Sequence, residues 1–456
     1  MRRFVWGGAT LGVALWATIA GAAPAGNSKP SATAIPLKDV RLKNGLRVIL
    51  SEDHSAPTFG ISVTYNVGSR DEKKGHTGFA HLFEHMMFQG SEKVGKGEHF
   101  SLVLNNGGDM NGTTDMDRTD YFEAMPANQL DLALFLESDR MRSLAINQAN
   151  LDNQRNAVQE ERRLGMDNQP YGAVEEELQA LAYDNFAYQH DTIGSMADLN
   201  AASLADVTAF FKTYYAPDNA VLVLVGDFNS DRALEKVTRY FGDIPSQPAP
   251  PKPDLAEPEQ KAERRKTLTD PLAPMPRLDL AFKGPAAYTA DWYALRMLGD
   301  VLGQGESGRL HLLLVKDKRV ASNVFVYIPE NVGPSLLRVT VMATEGQDPA
   351  ATEKLLYDAI EGVARDGIAE WELEKARMQT RRQLAQVRRS TLFRALLIGE
   401  LASKFGKPEL INTLEPSLAA VTLGDVQRVA RTYLIAARRS VVTTVPKPVG
   451  AKKGTP

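Results

Sequence analysis

The chain has 456 residues, which is too long for one core of ordinary size, so we expect at least two domains. Its formal net charge is only -3 at pH 7, which gives no reason to propose nucleic acid or an acidic membrane surface as a partner. The sequence contains no cysteine, which excludes disulfides and a lipid-modified N-terminal cysteine.

The N-terminus has the residue order of a secretory signal. A Met-Arg-Arg start is followed by a mostly apolar run from Phe4 to Ile19 and then by Ala-Gly-Ala. We predict a signal peptide over residues 1–22 with cleavage before Ala23, a disordered tether over 23–34, and a soluble, exported mature chain, as in a periplasm. An uncleaved membrane anchor is the alternative, because the apolar run is near the lower length limit for a bilayer span.

A helix with a possible metal site follows a strand, predicted as half-buried, over residues 59–67. His81, Glu84 and His85 fall on one face of this helix. The opposite face is an apolar stripe of Phe79, Leu82, Phe83, Met86 and Met87. Two neutral imidazoles at i and i+4 can bind one Zn²⁺, and the carboxylate between them can take a proton from the attacking water. The order His-x-x-Glu-His is the inverzincin motif, although three polar surface residues would look the same.

A catalytic zinc usually has three protein ligands, so one more is needed. In the predicted helix over residues 151–164, Glu161 projects into the inward face, whereas Glu160 points about 100° away. The inward-facing residues would be Leu151, Ala157, Val158 and Leu164. A carboxylate on an apolar face is costly unless it is paired or bound to metal, so Glu161 is the candidate third ligand. An ion pair with Arg155 or Arg162 is the alternative.

The chain contains an internal repeat. Residues 204–214 and 423–433 share a Leu-x-Asp-Val start and a Thr-Tyr end, and a β-rich run follows each copy. A second match aligns residues 81–90 with residues 296–305. The aligned ligand positions there hold Arg296, Gly299 and Asp300. The second copy therefore cannot bind zinc in the same manner.

A Pro-rich, then charged, stretch separates the two copies. We predict a zinc-binding domain over residues 35–244, a linker over 245–265, a homologous domain without a metal site over 266–447, and a tail over 448–456. Mixed strands and helices in each half predict an α+β fold class with two domains of mixed sheet packed with helices.

The sequence resembles the pitrilysin or insulinase family, which includes mitochondrial processing peptidase. The resemblance is carried by His81, Glu84 and His85, by Glu161 about 76 positions later, and by the duplicated halves, and it covers nearly the whole mature chain. It implies a zinc metalloendopeptidase that forms half of a clamshell and hydrolyses unfolded peptides or oligopeptides in a closed chamber. The implied zinc ligands are His81, His85 and Glu161, with Glu84 as the general base.

The resemblance also implies how substrate is held and which residues of a complete site this chain lacks. The segment Asn111, Gly112 and Thr113 matches an edge strand that binds extended peptide, whereas the residues alone favour a simple turn. The Arg and Tyr that complete family sites align with Val315 and Ser322, which cannot donate hydrogen bonds to a tetrahedral intermediate as Arg and Tyr do. We therefore expect a homologous zinc-free subunit that supplies Arg and Tyr, in preference to a homodimer.

Two other functions compete with a peptidase. One is a noncatalytic scaffold or assembly subunit, which need not retain stoichiometric zinc. The other is a peptide-binding module that holds zinc but does not cut, which would fit the missing Arg and Tyr.

Overall fold

The computed structural model describes residues 34–447. The predicted signal peptide, the tether apart from Ala34, and the predicted tail lie outside the described residues. Within residues 34–447, no helix combines the length and the apolar character needed to cross a membrane.

The first half contains six strands and nine α-helices within the described residues. The strands are β1 (Lys38–Arg41), β2 (Arg47–Glu52), β3 (Thr58–Tyr65), β4 (Asp109–Thr114), β5 (Thr119–Pro126) and β6 (Ala220–Gly226). The helices are α1 (Phe79–Met86), α2 (Glu98–Asn105), α3 (Leu130–Ser143), α4 (Gln148–Arg162), α5 (Val174–Ala182), α6 (Phe186–Gln189), α7 (Met196–Ala201), α8 (Leu204–Tyr214) and α9 (Ser230–Phe241). The strands form one mixed sheet in the order β1-β2-β6-β3-β5-β4, in which only β2 and β6 pair in parallel. Strand β4 is therefore an edge strand.

The second half repeats this plan with five described strands. They are β7 (Arg264–Asp270), β8 (Arg277–Lys283), β9 (Ala321–Tyr327), β10 (Leu336–Ala343) and β11 (Arg439–Pro446). The helices are α10 (Ala290–Gly303), α11 (Pro349–Asp366), α12 (Glu370–Arg389), α13 (Thr391–Phe405), α14 (Leu414–Ala419) and α15 (Leu423–Tyr433). The sheet order is β7-β11-β8-β10-β9, with β7 and β11 parallel. Two mixed sheets packed with helices confirm the predicted α+β class.

The two copies of the repeat adopt the same local structure. Helices α8 and α15 both begin with a capping box, in which Ser203 pairs with Asp206 and Thr422 pairs with Asp425. Each helix is followed by a short 3-10 turn and then by a strand, β6 or β11, inside its sheet. The capping box satisfies backbone N–H groups at the helix start, so the shared Asp of the repeat has a structural role.

Between the halves, residues 245–263 contain no helix or strand. Strand β7 begins at Arg264, so the predicted linker runs two residues into the second sheet. The side chain of Gln260 donates a hydrogen bond to the backbone oxygen of Arg439 at 2.8 Å, which attaches the end of this segment to β11.

Each sheet is covered by a helix from the other half. Helix α13 packs on β3 and β6 of the first sheet, and α5 packs on β8 and β11 of the second. The prediction of a half-buried strand over residues 59–67 is therefore wrong, because every residue of β3 from Phe59 to Tyr65 is buried. The sequence pattern shows only the local alternation, whereas the cover comes from a helix more than 300 residues away.

We expect Gly60→Ala to destabilise the protein. A Cβ at Gly60 would lie 2.7 Å from the Cα of Leu392 in α13, so a backbone would have to move. Overpacking of this kind costs about 1–3 kcal/mol, to be measured by urea unfolding. Gly424→Ala is the control, because its Cβ meets nothing closer than 3.7 Å. Equal unfolding midpoints for Gly60→Ala and wild type would contradict the close packing of α13 on β3.

Candidate metal centre

Helix α1 is fixed by its apolar stripe. All five predicted stripe residues are buried, namely Phe79, Leu82, Phe83, Met86 and Met87. Phe83 stacks on Phe210 of α8 with ring centroids 5.0 Å apart, and it also contacts the rings of Phe211 and Tyr215. Packing of one face therefore sets the direction of the other, which carries His81, Glu84 and His85.

The start of α1 is held by a buried carboxylate that the sequence analysis did not identify. Glu72 accepts hydrogen bonds from the backbone N–H groups of Gly78, at 2.9 Å, and Ala80, at 2.8 Å. Its Oε2 also lies 3.0 Å from Nε2 of His190. A negative charge at a helix N-terminus stabilises the helix, so Glu72 both caps and positions α1. It lies in a loop with no periodic pattern, so nothing in the sequence distinguished it.

The structure brings the three predicted ligand side chains together. Oε2 of Glu161 lies 3.7 Å from Nε2 of His81 and 3.3 Å from Nε2 of His85. Tetrahedral zinc with bonds of 2.0–2.2 Å needs neighbouring ligand atoms about 3.3–3.5 Å apart. The distance from Glu161 to His85 lies in this range and the 3.7 Å distance to His81 lies just above it, so a small side-chain adjustment would bring the set to zinc spacing.

His81 gives a second reason to favour a metal. Its Nδ1 atom is buried and has no hydrogen-bond partner among the described residues, and its Nε2 is beyond hydrogen-bond distance of Glu161. Coordination at Nε2 would give this buried ring a partner and offset part of the cost of its burial, but it would leave Nδ1 unpaired. Burial and the nearby His85 lower the pKa of His81 to about 4, so its imidazole is neutral at pH 7 and able to bind metal.

The pKa values of His85 and Glu161 are shifted by their contact with each other, upward for His85 and downward for Glu161. Burial lowers the pKa of His85, but its hydrogen bond to Glu161 and the charges of Glu161 and Glu84 together outweigh burial, so the net pKa is raised. Burial acts to raise the pKa of Glu161, but the hydrogen bond to His85 and the charges of both histidines lower it. A hydrogen bond to Gln154 of α4 also raises the pKa of His85. Gln154, which is buried, therefore lies beside the proposed ligand ring, and its place there was not predicted from the sequence.

The predicted inward face of the helix over residues 151–164 is partly wrong, although Glu161 lies beside His81 and His85. Leu151 and Val158 of α4 are buried, but Ala157 is exposed and Leu164 is 56% exposed. At 100° per residue, Ala157 lies about 120° around the helix from Leu151. Leu164 lies beyond the end of α4, in a π-helical turn over Arg163–Asp167. Glu161 therefore lies at the flank of the apolar face.

The alternative partners of Glu161 are engaged elsewhere. Arg155 donates to the backbone oxygens of Leu199 and Ala202 and to Asp152. Arg162 donates to the backbone oxygen of Gly194, at 2.7 Å, and to Glu176. The ion-pair alternative for Glu161 is therefore wrong.

Thr114 donates a hydrogen bond to Glu84. Oγ1 of Thr114, the last residue of β4, donates to Oε2 of Glu84 at 2.7 Å. Burial raises the pKa of Glu84, and the hydrogen bond from Thr114 opposes this change. A carboxylate with a raised pKa holds a proton more strongly, which suits a group that takes a proton and later releases it. Thr114 was another residue that the sequence analysis missed.

The segment Asn111, Gly112 and Thr113 lies within β4 and is not a turn. A Cβ at Gly112 would lie 3.1 Å from Cγ of Glu84, so the absence of a side chain lets the edge strand approach the carboxylate. Thr113 Oγ1 donates to Asp120 at 2.7 Å, so its hydroxyl is occupied within the sheet. The predicted role of the three residues in binding substrate remains a prediction.

In the second half, the positions aligned with His81 and His85 hold an ion pair of Arg296 and Asp300. Nε of Arg296 lies 3.4 Å from Asp300, and Oγ1 of Thr380 donates to Oδ2 of Asp300 at 3.1 Å. The ion pair lies within α10, whereas the hydrogen bond from Thr380 joins α12 to α10, as the His-His-Glu set joins α4 to α1. Of the positions aligned with the family Arg and Tyr, Val315 packs against the core, and the Ser322 hydroxyl donates to the backbone oxygen of Met342.

A second group of possible ligand atoms, His99, Glu123 and Glu137, is fully buried. Arg140 lies within it and donates to Oε2 of Glu137 at 3.0 Å, and His99 lies 2.8 Å from Glu123. A guanidinium supplies the compensating positive charge here, so this group is a buried ion-pair network.

Comparison with known proteins agrees with the fold. Residues 47–195 match the model of insulinase, peptidase family M16, and residues 201–380 match the peptidase M16 inactive domain. The zinc protease PqqE of Helicobacter pylori is 31% identical over 344 residues, which cover 75% of this chain and 78% of that protein. A probable mitochondrial-processing peptidase subunit beta of Arabidopsis thaliana is 23% identical over 86% of this chain and 75% of its own length.

Solved structures give the same result. The crystal structure of a protease from Helicobacter pylori superposes with a TM-score of 0.88 and 28% identity, covering 91% of this chain and 100% of that one. The periplasmic protease PqqL from Escherichia coli superposes with a TM-score of 0.74 and 18% identity, covering 93% of this chain but 49% of that one. The fold and these relatives define the class of the molecule as zinc-protease-like. The chain belongs to peptidase family M16.

We expect Glu161→Gln to weaken zinc binding while leaving the fold intact, because the amide lacks the charge that a zinc ligand supplies.

Wild type should also lose zinc as the pH falls from 7.5 to 5, because the raised pKa of His85 lets its ring protonate first. Both effects are measured by competition with a zinc chelator. The control is Glu160→Gln, since Glu160 is exposed. Unchanged zinc affinity in Glu161→Gln would move the third ligand elsewhere.

We expect Gly112→Ala to reduce activity with zinc content unchanged. The new methyl group would displace Glu84, and a displacement of a few tenths of an ångström lowers kcat/KM about tenfold. Gly165→Ala is the control, because a Cβ there meets nothing within 4 Å. Full activity of Gly112→Ala would show that β4 does not constrain the carboxylate.

Proposed function

We propose that this protein is an exported zinc metalloendopeptidase that hydrolyses unfolded peptides or oligopeptides. The observation that carries the proposal is the convergence of His81, His85 and Glu161 close to zinc spacing beside a carboxylate, Glu84, on the same helix. When bound, zinc acts as a Lewis acid and lowers the pKa of water, so that hydroxide forms near neutral pH.

Glu84 is the proposed general base. Its carboxylate takes a proton from the attacking water and passes it to the leaving amine as the peptide bond breaks. The hydrogen bond from Thr114 at 2.7 Å fixes one carboxylate oxygen, so the other is the proposed proton carrier. Burial of Glu84 supports this role, because its raised pKa makes the protonated form accessible.

Strand β4 is the proposed site for the peptide backbone. It is the edge of the first sheet, and an extended peptide can add to such an edge through main-chain hydrogen bonds alone. Gly112 places this edge against Glu84, which would bring the scissile bond of a bound strand near the proposed base. Main-chain recognition of this kind requires little side-chain specificity and therefore suits unfolded substrates.

We propose that a homologous zinc-free subunit completes the enzyme. Val315 and Ser322 stand where the family resemblance expects Arg and Tyr, so this chain lacks two donors for the tetrahedral intermediate. A homodimer would bring only a second Val and Ser. The coverage of 49% of PqqL supports the idea that this chain corresponds to half of a larger enzyme.

The proposal of export rests on the signal-like N-terminus. The Escherichia coli neighbour is described as a periplasmic protease, which agrees with export. N-terminal sequencing of the protein recovered from its native compartment tests cleavage before Ala23.

We expect Glu84→Gln to retain zinc and to lose hydrolysis by about 10²- to 10⁴-fold, the usual contribution of a general base. The measurement is cleavage of a quenched random-peptide library, with metal content determined on the same sample. Glu160→Gln, on an exposed face of α4, should keep full activity. An active Glu84→Gln enzyme would remove Glu84 from the mechanism.

We expect hydrolysis only when this chain is mixed with a zinc-free relative that copurifies with it. Strong hydrolysis by the isolated chain, unchanged on mixing, would contradict the two-subunit proposal. Zinc without hydrolysis in either sample would leave a peptide-binding module, and absence of zinc would favour a scaffold.

A further inference from the structure

The second half contains a cavity of about 330 Å³ beside α10, the helix that corresponds to α1. Ligand sites for small molecules commonly have volumes of about 300–1,000 Å³. The cavity is lined by residues of α10, α12, α13 and α14, and most of them are apolar or aromatic. None of the proposed zinc ligands lines it.

The cavity lies beside the place where the repeat has lost its metal ligands. Arg296, which aligns with His81, lines the cavity, and so does Thr380 of α12. Both side chains contact Asp300, at 3.4 and 3.1 Å. The hydrogen bond from Thr380 to Asp300 therefore links α12 to α10 where the first half has its candidate metal ligands, and the cavity lies beside this link.

Negative charge is in excess at this cavity. Its lining contains one cation, Arg296, and two carboxylates, Glu330 and Glu400. Arg296 is shared between Asp300, at 3.4 Å, and Glu330, at 3.5 Å. Lys404 lies 2.9 Å from Glu400 but is also shared with two aspartates of the first half, at 3.4 and 3.8 Å. Those two aspartates also have cations of their own, Arg70 at 2.7 Å and Arg118 at 3.4 Å, so Lys404 is left to Glu400. Arg296 alone then serves both Asp300 and Glu330, and this one carboxylate in excess favours a cationic ligand.

Aromatic rings form part of the wall. Tyr288 and Trp292 have ring centroids 5.1 Å apart, and Phe393 is 47% exposed. Tyr288 has φ 60°, a left-handed conformation that is strained for a bulky residue. Strain of this kind persists where the surroundings hold a side chain in place, and it is concentrated at functional sites. Ring faces also attract organic cations.

We propose that this cavity binds an organic cation, a guanidinium or ammonium group on an apolar body. The charged group would be directed toward Glu330 and Glu400, and the body would pack on Tyr288 and Phe393. The same chemistry is found in a free small molecule and in a basic side chain of a polypeptide. The proposal is independent of zinc hydrolysis, because the cavity is separate from the proposed metal ligands.

Calorimetric titration of the full chain with phenethylguanidine tests the proposal. Its matched probes are phenethylurea, the neutral isostere, and 3-phenylpropionate, the anion. We expect phenethylguanidine to bind and both matched probes to bind at least about tenfold more weakly, since a hydrogen bond to a charged group contributes about 1.5–3 kcal/mol. Equal affinity for the urea or the anion would overturn the proposal.

Two variants assign the site. Glu330→Gln should weaken phenethylguanidine binding about tenfold, and Phe393→Ala should weaken it through the exposed wall, whereas Glu409→Gln, at an exposed carboxylate of the same half, should not. Thermal unfolding and zinc content establish that each variant is folded and that the proposed metal centre is unaffected. Unchanged binding in folded Glu330→Gln and Phe393→Ala would overturn the assignment.

A second titration separates the two sources of the cation. N-acetyl-phenylalanyl-arginine amide is compared with its citrulline counterpart, in protein carrying Glu84→Gln so that the peptide is not cut. Tighter binding of the arginine peptide than of phenethylguanidine supports a polypeptide ligand, and the reverse order supports a free small molecule. Equal affinity for the arginine and citrulline peptides, together with no binding of phenethylguanidine, would refute the proposal.

Discussion

The exchange of helices between the two sheets is the constraint on which the rest of the structure depends. Helix α13 of the second half covers β3 and β6, and α5 of the first half covers β8 and β11. Neither sheet therefore has a complete apolar core without the other half. Because burial of apolar surface is the dominant favourable term in folding, the two halves are expected to share one stability. The repeat is thus a single cooperative body made of two similar parts.

The candidate metal centre depends on this body in two ways. Packing of Phe83 against α8 sets the direction of the polar face of α1, and Glu72 fixes where the helix begins. From the other side, α13 contacts the loop that follows β4, where Nζ of Lys404 lies 3.4 Å from Asp115. The edge strand, the proposed base and the ligand set are consequently positioned by elements from both halves of the chain.

The sequence predicted those features that depend on local periodicity. The stripe from Phe79 to Met87 identified a helix and its buried face, and the repeat identified two sheets of similar plan. The sequence did not predict features that depend on contacts between residues far apart in the chain. The cover on β3 comes from α13, and the role of Glu72 depends on a loop folding back on a helix start. Glu161 was found although the face assigned to its helix was wrong, since the true buried face is centred near Leu151 and Val158.

Strand β4 leads into the loop at Asp115 and Asp117, which lies in contact with the second half. The backbone N–H of Val332 donates to Oδ2 of Asp117 at 2.8 Å, and the hydroxyl of Tyr188 donates to Oδ1 at 2.7 Å. A shift of the second half relative to the first would therefore pull on the end of the strand proposed to hold substrate. The position of the edge strand of the first half is thus coupled to the position of the second half.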